Sequence, residues 1–369
     1  MKERLFDRIV VGLFCGFLAV MCVCYLFLPT EDFSALEKRY LEDPPEFSWK
    51  TLASGEWGEA VEQYLADHIP GRNFFVGLNA YFVRMTGRQA SMDIYAAKDG
   101  RLVEAPAVWD QDRVEKNMDA ILQFSEKTGQ DVYLMLIPSA GWAVAEDVFK
   151  PAKAYNDQEM IRWIYEMAGS TVQTVDLTEL FHGRKEWYFK TDHHWNSRGA
   201  YEGYCAWCLA SGREPVPEET FRIGQYGDFF GSTYSRSALW LTKPDSLELW
   251  ISASDLTVVN GESDEIHTGP YYWNRLEETD KYTVNLDGNH SVVRVTNPAG
   301  SGKLLVIRDS FANSMGVFLA ESYETVLLVD LRYYKAELSA LCREEGFDEI
   351  LVCYSLSNFL TDANLVWLR

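Results

Sequence analysis

The feature that most constrains this chain is an alternation over residues 303–355. "KLLVIRD" (303–309), "TVLLVDL" (325–331) and "EILVCYS" (349–355) are short, continuous apolar runs. Such runs are what strands buried on both faces look like. Between them, "SFANSMGVFLAESY" and "KAELSALCREEGF" carry helical spacing, and Gly346 supplies a helix stop. A strand–helix–strand run returns each strand parallel to the one before. The expectation is an α/β fold built on a doubly wound parallel sheet. Ligands of such sheets bind beyond the carboxyl ends of the strands.

Upstream segments extend the alternation. In "QDRVEKNMDAILQFSEKTG" (111–129), Val114, Met118, Ile121, Leu122 and Ser125 share one helical face, and Gly129 follows as a stop. "VYLMLIP" (132–138) predicts a buried strand, and a helix near 156–169 and a strand at 171–177 follow. Tyr201, Tyr204, Cys205, Cys208 and Leu209 then mark an amphipathic helix. Residues 212–300 change character. "SLELWIS", "LTVVNG" and "KYTVNLDGNHSVVRVTNPAG" suggest short antiparallel strands, with a hairpin turn at 287–289. We expect this stretch to be a β-rich insertion into the sheet domain.

The first residues are of another kind. Ile9 to Leu28 carries no charge, and about twenty apolar residues span a bilayer as a helix. Lys2, Arg4 and Arg8 precede it, which orients the N-terminus toward the cytoplasm. No small-x-small cleavage site follows, so the expectation is a signal anchor over residues 1–29. A linker with N-terminal helices over 30–90 and a catalytic domain over 91–369 complete the division. The net charge of −21 argues against nucleic-acid binding. Cys205 and Cys208 have the spacing of a zinc or redox pair, but they fall inside a helical pattern, so they read as buried thiols.

Two places carry candidate chemistry. In "VIRDSFANS" (306–314), Ser310 sits where a buried strand gives way to a helix. Its backbone N–H, and those of the next residues, would point out of a helix N-terminus toward developing negative charge. The plainer reading is a helix N-cap. A nucleophilic serine needs a base, and "YFKTDHHWN" (188–196) offers one. If that segment is extended, Asp192 and His194 share a face and His193 points the other way. An Asp beside a His holds the imidazole in one tautomer and leaves its other nitrogen for a serine hydroxyl. A metal held by Asp192 and both histidines is an alternative, as is a structural histidine pair. No metal site is expected, because the further Asp-rich motifs that such a site needs are missing from the sequence.

With these motifs in place, the sequence resembles the DHHW protein family, which takes its name from the Asp-His-His-Trp run at 192–195. That family is related to the SGNH-hydrolase-like proteins of alginate and other exopolysaccharide O-acetylation. There an Asp-x-His pair precedes the serine, and Asp192, His194 and Ser310 match those positions. Arg308 stands where relatives often have Gly. "DHIPGRNFFVGLNAYFVRMTGR" (67–88), "AAKDGRLVE" (96–104), "LIPSAG" (136–141) and "YGDFFGSTYSRS" (226–237) also resemble family segments, in the same order.

The resemblance implies a membrane-anchored, extracytoplasmic SGNH-like domain that moves an acyl group, most simply acetyl, to or from hydroxyls of a surface polysaccharide. Ser310 would be the nucleophile, His194 the base and Asp192 its orienting carboxylate. Asn313, His193, Trp195 and Tyr234 are the candidates for oxyanion or substrate contact. The resemblance also implies a membrane-bound O-acyltransferase as acyl supplier, and no metal or dissociable cofactor. The rival expectation is a non-catalytic glycan-binding or scaffold protein whose aromatic residues stack on sugars.

Overall fold

A computed structural model describes residues 2–34, 39–86, 90–91, 93–148, 154–261, 263 and 265–368. The chain divides into two compact units: residues 1–88 with 235–240, and residues 89–234 with 241–369.

The smaller unit is helical. Helix α1 (Lys2–Phe27) has a mean hydropathy of 2.6 over Leu5–Phe27, and its apolar side chains are exposed. It is long and apolar enough to cross a bilayer. Helices α2 (Glu56–Asp67) and α3 (Arg72–Met85) follow. Gly77 of α3 lies against Trp240, where a Cβ would come within 2.1 Å of the indole ring. Phe74 stacks on the same ring at 5.7 Å.

The larger unit is an α/β/α sandwich. Its main sheet has eight strands: β1 (Val132–Ile137), β2 (Gln173–Asp176), β3 (Thr257–Asn260), β4 (His267–Thr268), β5 (Val292–Thr296), β6 (Lys303–Arg308), β7 (Thr325–Val329) and β8 (Glu349–Ser355). The spatial order is β4-β3-β5-β7-β6-β8-β1-β2. The five strands β7-β6-β8-β1-β2 are parallel, and β5, β3 and β4 extend the β7 edge antiparallel. Residues along one strand alternate between two hydrophobic layers. Leu304 and Val306 join Tyr204, Trp207 and Phe318, while Leu305 and Ile307 join Met118, Ile121 and Ile164. Helices α6 (Ser197–Ser211) and α7 (Ala312–Ser322) cover the first face. Helices α4 (Gln111–Thr128), α5 (Asp157–Ala168) and α8 (Leu338–Glu345) cover the second. Each fully buried Leu, Ile or Val contributes about 1.5–3 kcal/mol, so this double layer holds the sheet rigid beneath whatever its carboxyl edge carries.

The β-rich stretch 212–300 divides in two. Arg222–Phe229 and Asp245–Ile251 pair as a separate antiparallel ribbon. Strands β3, β4 and β5 instead belong to the main sheet, because Val258, Val293 and Val295 have apolar surface to bury and the β7 edge offers a partner. The stretch is β-rich, but not all of it stands apart from the main sheet. Nor does 287–289 join paired strands. It follows a 3₁₀ turn, with Leu286, Asp287 and Gly288 all at positive φ (55°, 64° and 81°).

Candidate active site

Two loops meet at the carboxyl edge of the parallel strands. The first runs from Tyr188 to Asn196. It is not extended, as the sequence suggested, but bent back on itself. Tyr188 bridges Trp195, and the Phe189 N–H donates to the His194 carbonyl at 3.3 Å. Its backbone is pinned from three sides. Buried Arg101 donates Nη1 to the carbonyls of Tyr188 and Phe189 at 2.8 and 2.7 Å. The Asp245 carboxylate accepts the N–H groups of Lys190 and Thr191 and the Thr191 hydroxyl. The Tyr188 hydroxyl donates to the Pro138 carbonyl beyond β1 at 2.6 Å.

Within this bend, Asp192 Oδ1 accepts both the backbone N–H of His194 (2.9 Å) and its ring Nδ1–H (2.6 Å). The pair meets through a turn in which a side chain caps the N–H two residues on, not through the period-2 alternation of a strand. Asp192 Oδ2 accepts the Ser232 N–H at 2.7 Å. Gly231 makes that approach feasible, since a Cβ there would lie 2.2 Å from the Asp192 Cβ.

The second loop follows β6. The Asp309 carboxylate staples it to the end of β8. Oδ2 accepts the Ser355 N–H, the Ser355 hydroxyl and the Asn358 amide, each at 2.8 Å, while Oδ1 accepts the Phe311 N–H at 3.0 Å. Ser310 is half-buried. Its hydroxyl caps no helix N–H and instead lies 2.8 Å from His194 Nε2. The N–H groups of Phe311, Ala312 and Asn313 are taken up by the Asp309 carboxylate, the Asp309 carbonyl and the Ser310 carbonyl. Among the described residues the Ser310 N–H has no acceptor. The fan of free donors expected from the sequence thus reduces to one.

Ser310, His194 and Asp192 form a continuous hydrogen-bonded relay, with His194 and Asp192 almost fully buried. Burial pushes the Asp192 carboxyl up, but the imidazoles of His194 and His193 and the hydrogen bonds from His194 and Ser232 outweigh it and hold the group well below the usual carboxylate range. A carboxylate so held stays charged and keeps His194 Nδ1–H pointing at it, leaving Nε2 facing the Ser310 hydroxyl. His193 is pushed below the ordinary histidine value by burial first and by the neighbouring His194 second.

Tyr282 was not apparent from the sequence. Its ring stacks on His194 at 4.0 Å and 10°. Its hydroxyl donates to the Ser310 carbonyl at 3.1 Å and lies 3.2 Å from Ser314 Oγ. Burial raises its phenol strongly, so it remains a neutral donor. Nothing within three residues of Tyr282 marks it. The signal would have to come from its partners across the fold.

The other candidates fall in different places. Trp195 is fully buried, and its Nε1–H donates to the Phe311 carbonyl (2.9 Å) and Ser314 Oγ (3.0 Å). It is a strut beneath the Ser310 turn, not an exposed surface. Gly203 of α6 makes room for its ring, a Cβ there falling 2.8 Å away. Asn313 is 1% exposed, and its amide nitrogen donates to Asn289 Oδ1, which also accepts Arg308 Nη1. Asn313 is therefore packed beside the turn and not presented to an oxyanion. Arg308 is wholly buried near Asp330. Tyr234 is half-buried, with its N–H on the Thr191 carbonyl and its ring against Phe230. His193 is the most open member of the motif, with 26% of its side chain exposed, and its Nδ1 lies 2.5 Å from Ser232 Oγ.

Asp192, His193 and His194 are also close enough to share an ion, with ligand atoms within 4.8 Å of one another. An ion would have to displace the hydrogen bonds that these atoms make to one another, to Ser310 and to Ser232. Cys205 and Cys208 are free thiols in α6, and burial raises both.

A parallel-rich α/β sheet with its polar cluster at the strand carboxyl ends is the arrangement of doubly wound α/β proteins. The chain belongs to the DHHW protein family, whose model matches residues 113–329. Among solved structures it is similar to a DHHW family protein from Eubacterium siraeum (20% identity, TM-score 0.63, covering 76% of this chain and 95% of that one). It is equally similar to Bacillus cereus PatB1, solved with a sulfonyl adduct (20% identity, TM-score 0.63, covering 75% and 98%). No curated protein sequence matches the chain.

Proposed function

We propose that the chain is a membrane-anchored, serine-dependent O-acyl transferase or esterase, with Ser310 as nucleophile, His194 as general base and Asp192 as its orienting carboxylate. The observation that carries this reading is the relay itself, 2.8 Å from Ser310 Oγ to His194 Nε2 and 2.6 Å from His194 Nδ1 to Asp192. Nucleophile, base and orienting group stand within the hydrogen-bond reach that proton transfer needs.

The chemistry follows from those contacts. His194 Nε2 takes the Ser310 proton as Oγ bonds to the carbonyl carbon of an ester. The Ser310 N–H stabilises the resulting oxyanion. When the tetrahedral species collapses, His194 returns the proton to the departing oxygen and an acyl-Ser310 remains. An acceptor hydroxyl then gives its proton to His194 and attacks the acyl carbon, and as the second tetrahedral species collapses His194 passes that proton to the departing Ser310 Oγ. Throughout, His194 Nδ1–H stays on Asp192. If the acceptor is a sugar the net reaction is transfer; if it is water, hydrolysis.

The family resemblance supports acetyl as the acyl group and a surface polysaccharide as its carrier. It also supports a membrane-bound O-acyltransferase as supplier. Helix α1 supports an anchored, extracytoplasmic location, with Lys2, Arg4 and Arg8 on the cytoplasmic side. Hydrolysis of an aryl acetate tests the reading. Ser310→Ala should lose it while keeping the folded far-UV signal, whereas equal activity in Ser310→Ala would reject the nucleophile, and no hydrolysis by the wild type would favour the glycan-binding alternative.

A further inference from the structure

His193 is the residue of the motif that the relay leaves without a task. Three observations bear on it. Its Nδ1 lies 2.5 Å from Ser232 Oγ, which fixes the ring plane. Its ring lies 3.8 Å from that of His194, directly beside the base. Its Nε2 has no hydrogen-bond partner among the described residues, although the side chain is about three-quarters buried. A ring kept only for packing would not need a hydroxyl to orient it. The same Ser232 holds Asp192 through its backbone N–H, so one residue sets both the relay carboxylate and the His193 ring.

We propose that His193 is the acceptor-binding residue: held by Ser232, it presents Nε2 to a hydroxyl of the carbohydrate that receives the acyl group. This rests on the acyl-transfer reading above. If Nδ1 accepts the Ser232 O–H, Nε2 carries a hydrogen and donates; if Nδ1 donates, Nε2 accepts. A hydroxyl meets either tautomer because it both donates and accepts. A polyol offers a second hydroxyl beside the one that reacts, and a simple alcohol does not. His193 therefore selects polyhydroxylated acceptors. It adds no proton step, since the acceptor's proton goes to His194 Nε2.

The test is the fate of the acyl-enzyme in the full chain. Acylation is read as the burst of aryl product from an aryl acetate. Transfer is read as the ratio of acetyl delivered to methyl α-glucoside over methanol at equal hydroxyl concentration. The wild type should favour the glucoside. One lost hydrogen bond corresponds to about a tenfold change. His193→Phe, which keeps a ring against His194, should lower the transfer ratio about tenfold more than it lowers the burst rate. Ser232→Ala, which keeps the N–H for Asp192, should do the same, and His193→Gln should retain more of the ratio than His193→Phe. A wild-type ratio near one, or a His193→Phe variant with a normal burst and an unchanged ratio, overturns the acceptor role alone. Equal losses in burst and transfer also overturn it and make His193 a support of the relay. Absence of any aryl product from the wild type overturns the acyl-transfer reading and this one with it.

Discussion

Gly231 and Asp192 lie so close that a Cβ on Gly231 would stand 2.2 Å from the Asp192 Cβ and 2.3 Å from its Oδ2. The residue after this glycine donates the N–H that holds Oδ2. The acidic end of the relay is therefore shaped by backbone from a loop remote in sequence. Gly231→Ala must push the two loops apart. We expect a stability loss of about 1–3 kcal/mol and an activity loss much larger than that of a surface substitution in the same loop. Urea denaturation and aryl-acetate hydrolysis check the two parts.

Asp192 fixes the tautomer of His194 through a 2.6 Å bond. Asp192→Asn keeps the size of the side chain and removes the charge. Turnover should fall by about three to four orders of magnitude, the scale seen when a serine–histidine relay loses its carboxylate. KM should change far less. A drop below tenfold in kcat would show that Asp192 does not orient a base.

Tyr282 links His194 and Ser310, its ring on the imidazole and its hydroxyl on the Ser310 carbonyl. Tyr282→Phe removes only the hydroxyl and should cost about tenfold in kcat/KM, the worth of one hydrogen bond. Tyr282→Ala also removes the buried ring, so unfolding should become easier by about 3–5 kcal/mol. Near-equal kinetics for wild type and Tyr282→Phe would leave the tyrosine with a packing role.

His193 predicts how stability depends on pH. Its folded value is lowered by burial and by His194, so as pH falls below about 6.5 the unfolded chain takes up that proton before the folded one does. Folding stability contributed by neutral His193 is complete above that point and declines below it. His193→Phe removes the titrating group and should flatten the decline. Denaturation midpoints on either side of this window measure it. Parallel declines in both proteins would contradict a lowered His193.

Much of this was legible in the sequence, for definite reasons. The strands at 132–137, 303–308, 325–329 and 349–355 are buried on both faces, so their apolar runs are unbroken and stand out. Helix stops at Gly129 and Gly346 fall where left-handed backbone closes a helix. Ser310 was visible because it follows such a strand directly. The pairing of Asp192 with His194 was anticipated, but for a reason that the backbone does not follow, because the loop is bent by Arg101 and Asp245, whose contacts are long-range. Trp195 was a candidate for substrate contact through its place in the motif, yet its bonds to Phe311 and Ser314 hold it inside. Gly231, Ser232, Tyr282 and Asp309 act through tertiary contacts, which leave no periodic trace. The β-rich character of 212–300 was legible, but which of its strands join the main sheet was not, because short alternating strands read the same whether they form a separate ribbon or extend a sheet edge.

The central claim is that Ser310 becomes acylated. Brief incubation with an aryl acetate, acid quench, digestion and mass spectrometry of the peptide carrying Ser310 test it directly. The account predicts an acetyl group on Ser310 in the wild type, none in Ser310→Ala, and a strongly reduced yield in His194→Gln. Acetylation at another residue, or catalytic turnover with Ser310 never modified, would contradict it.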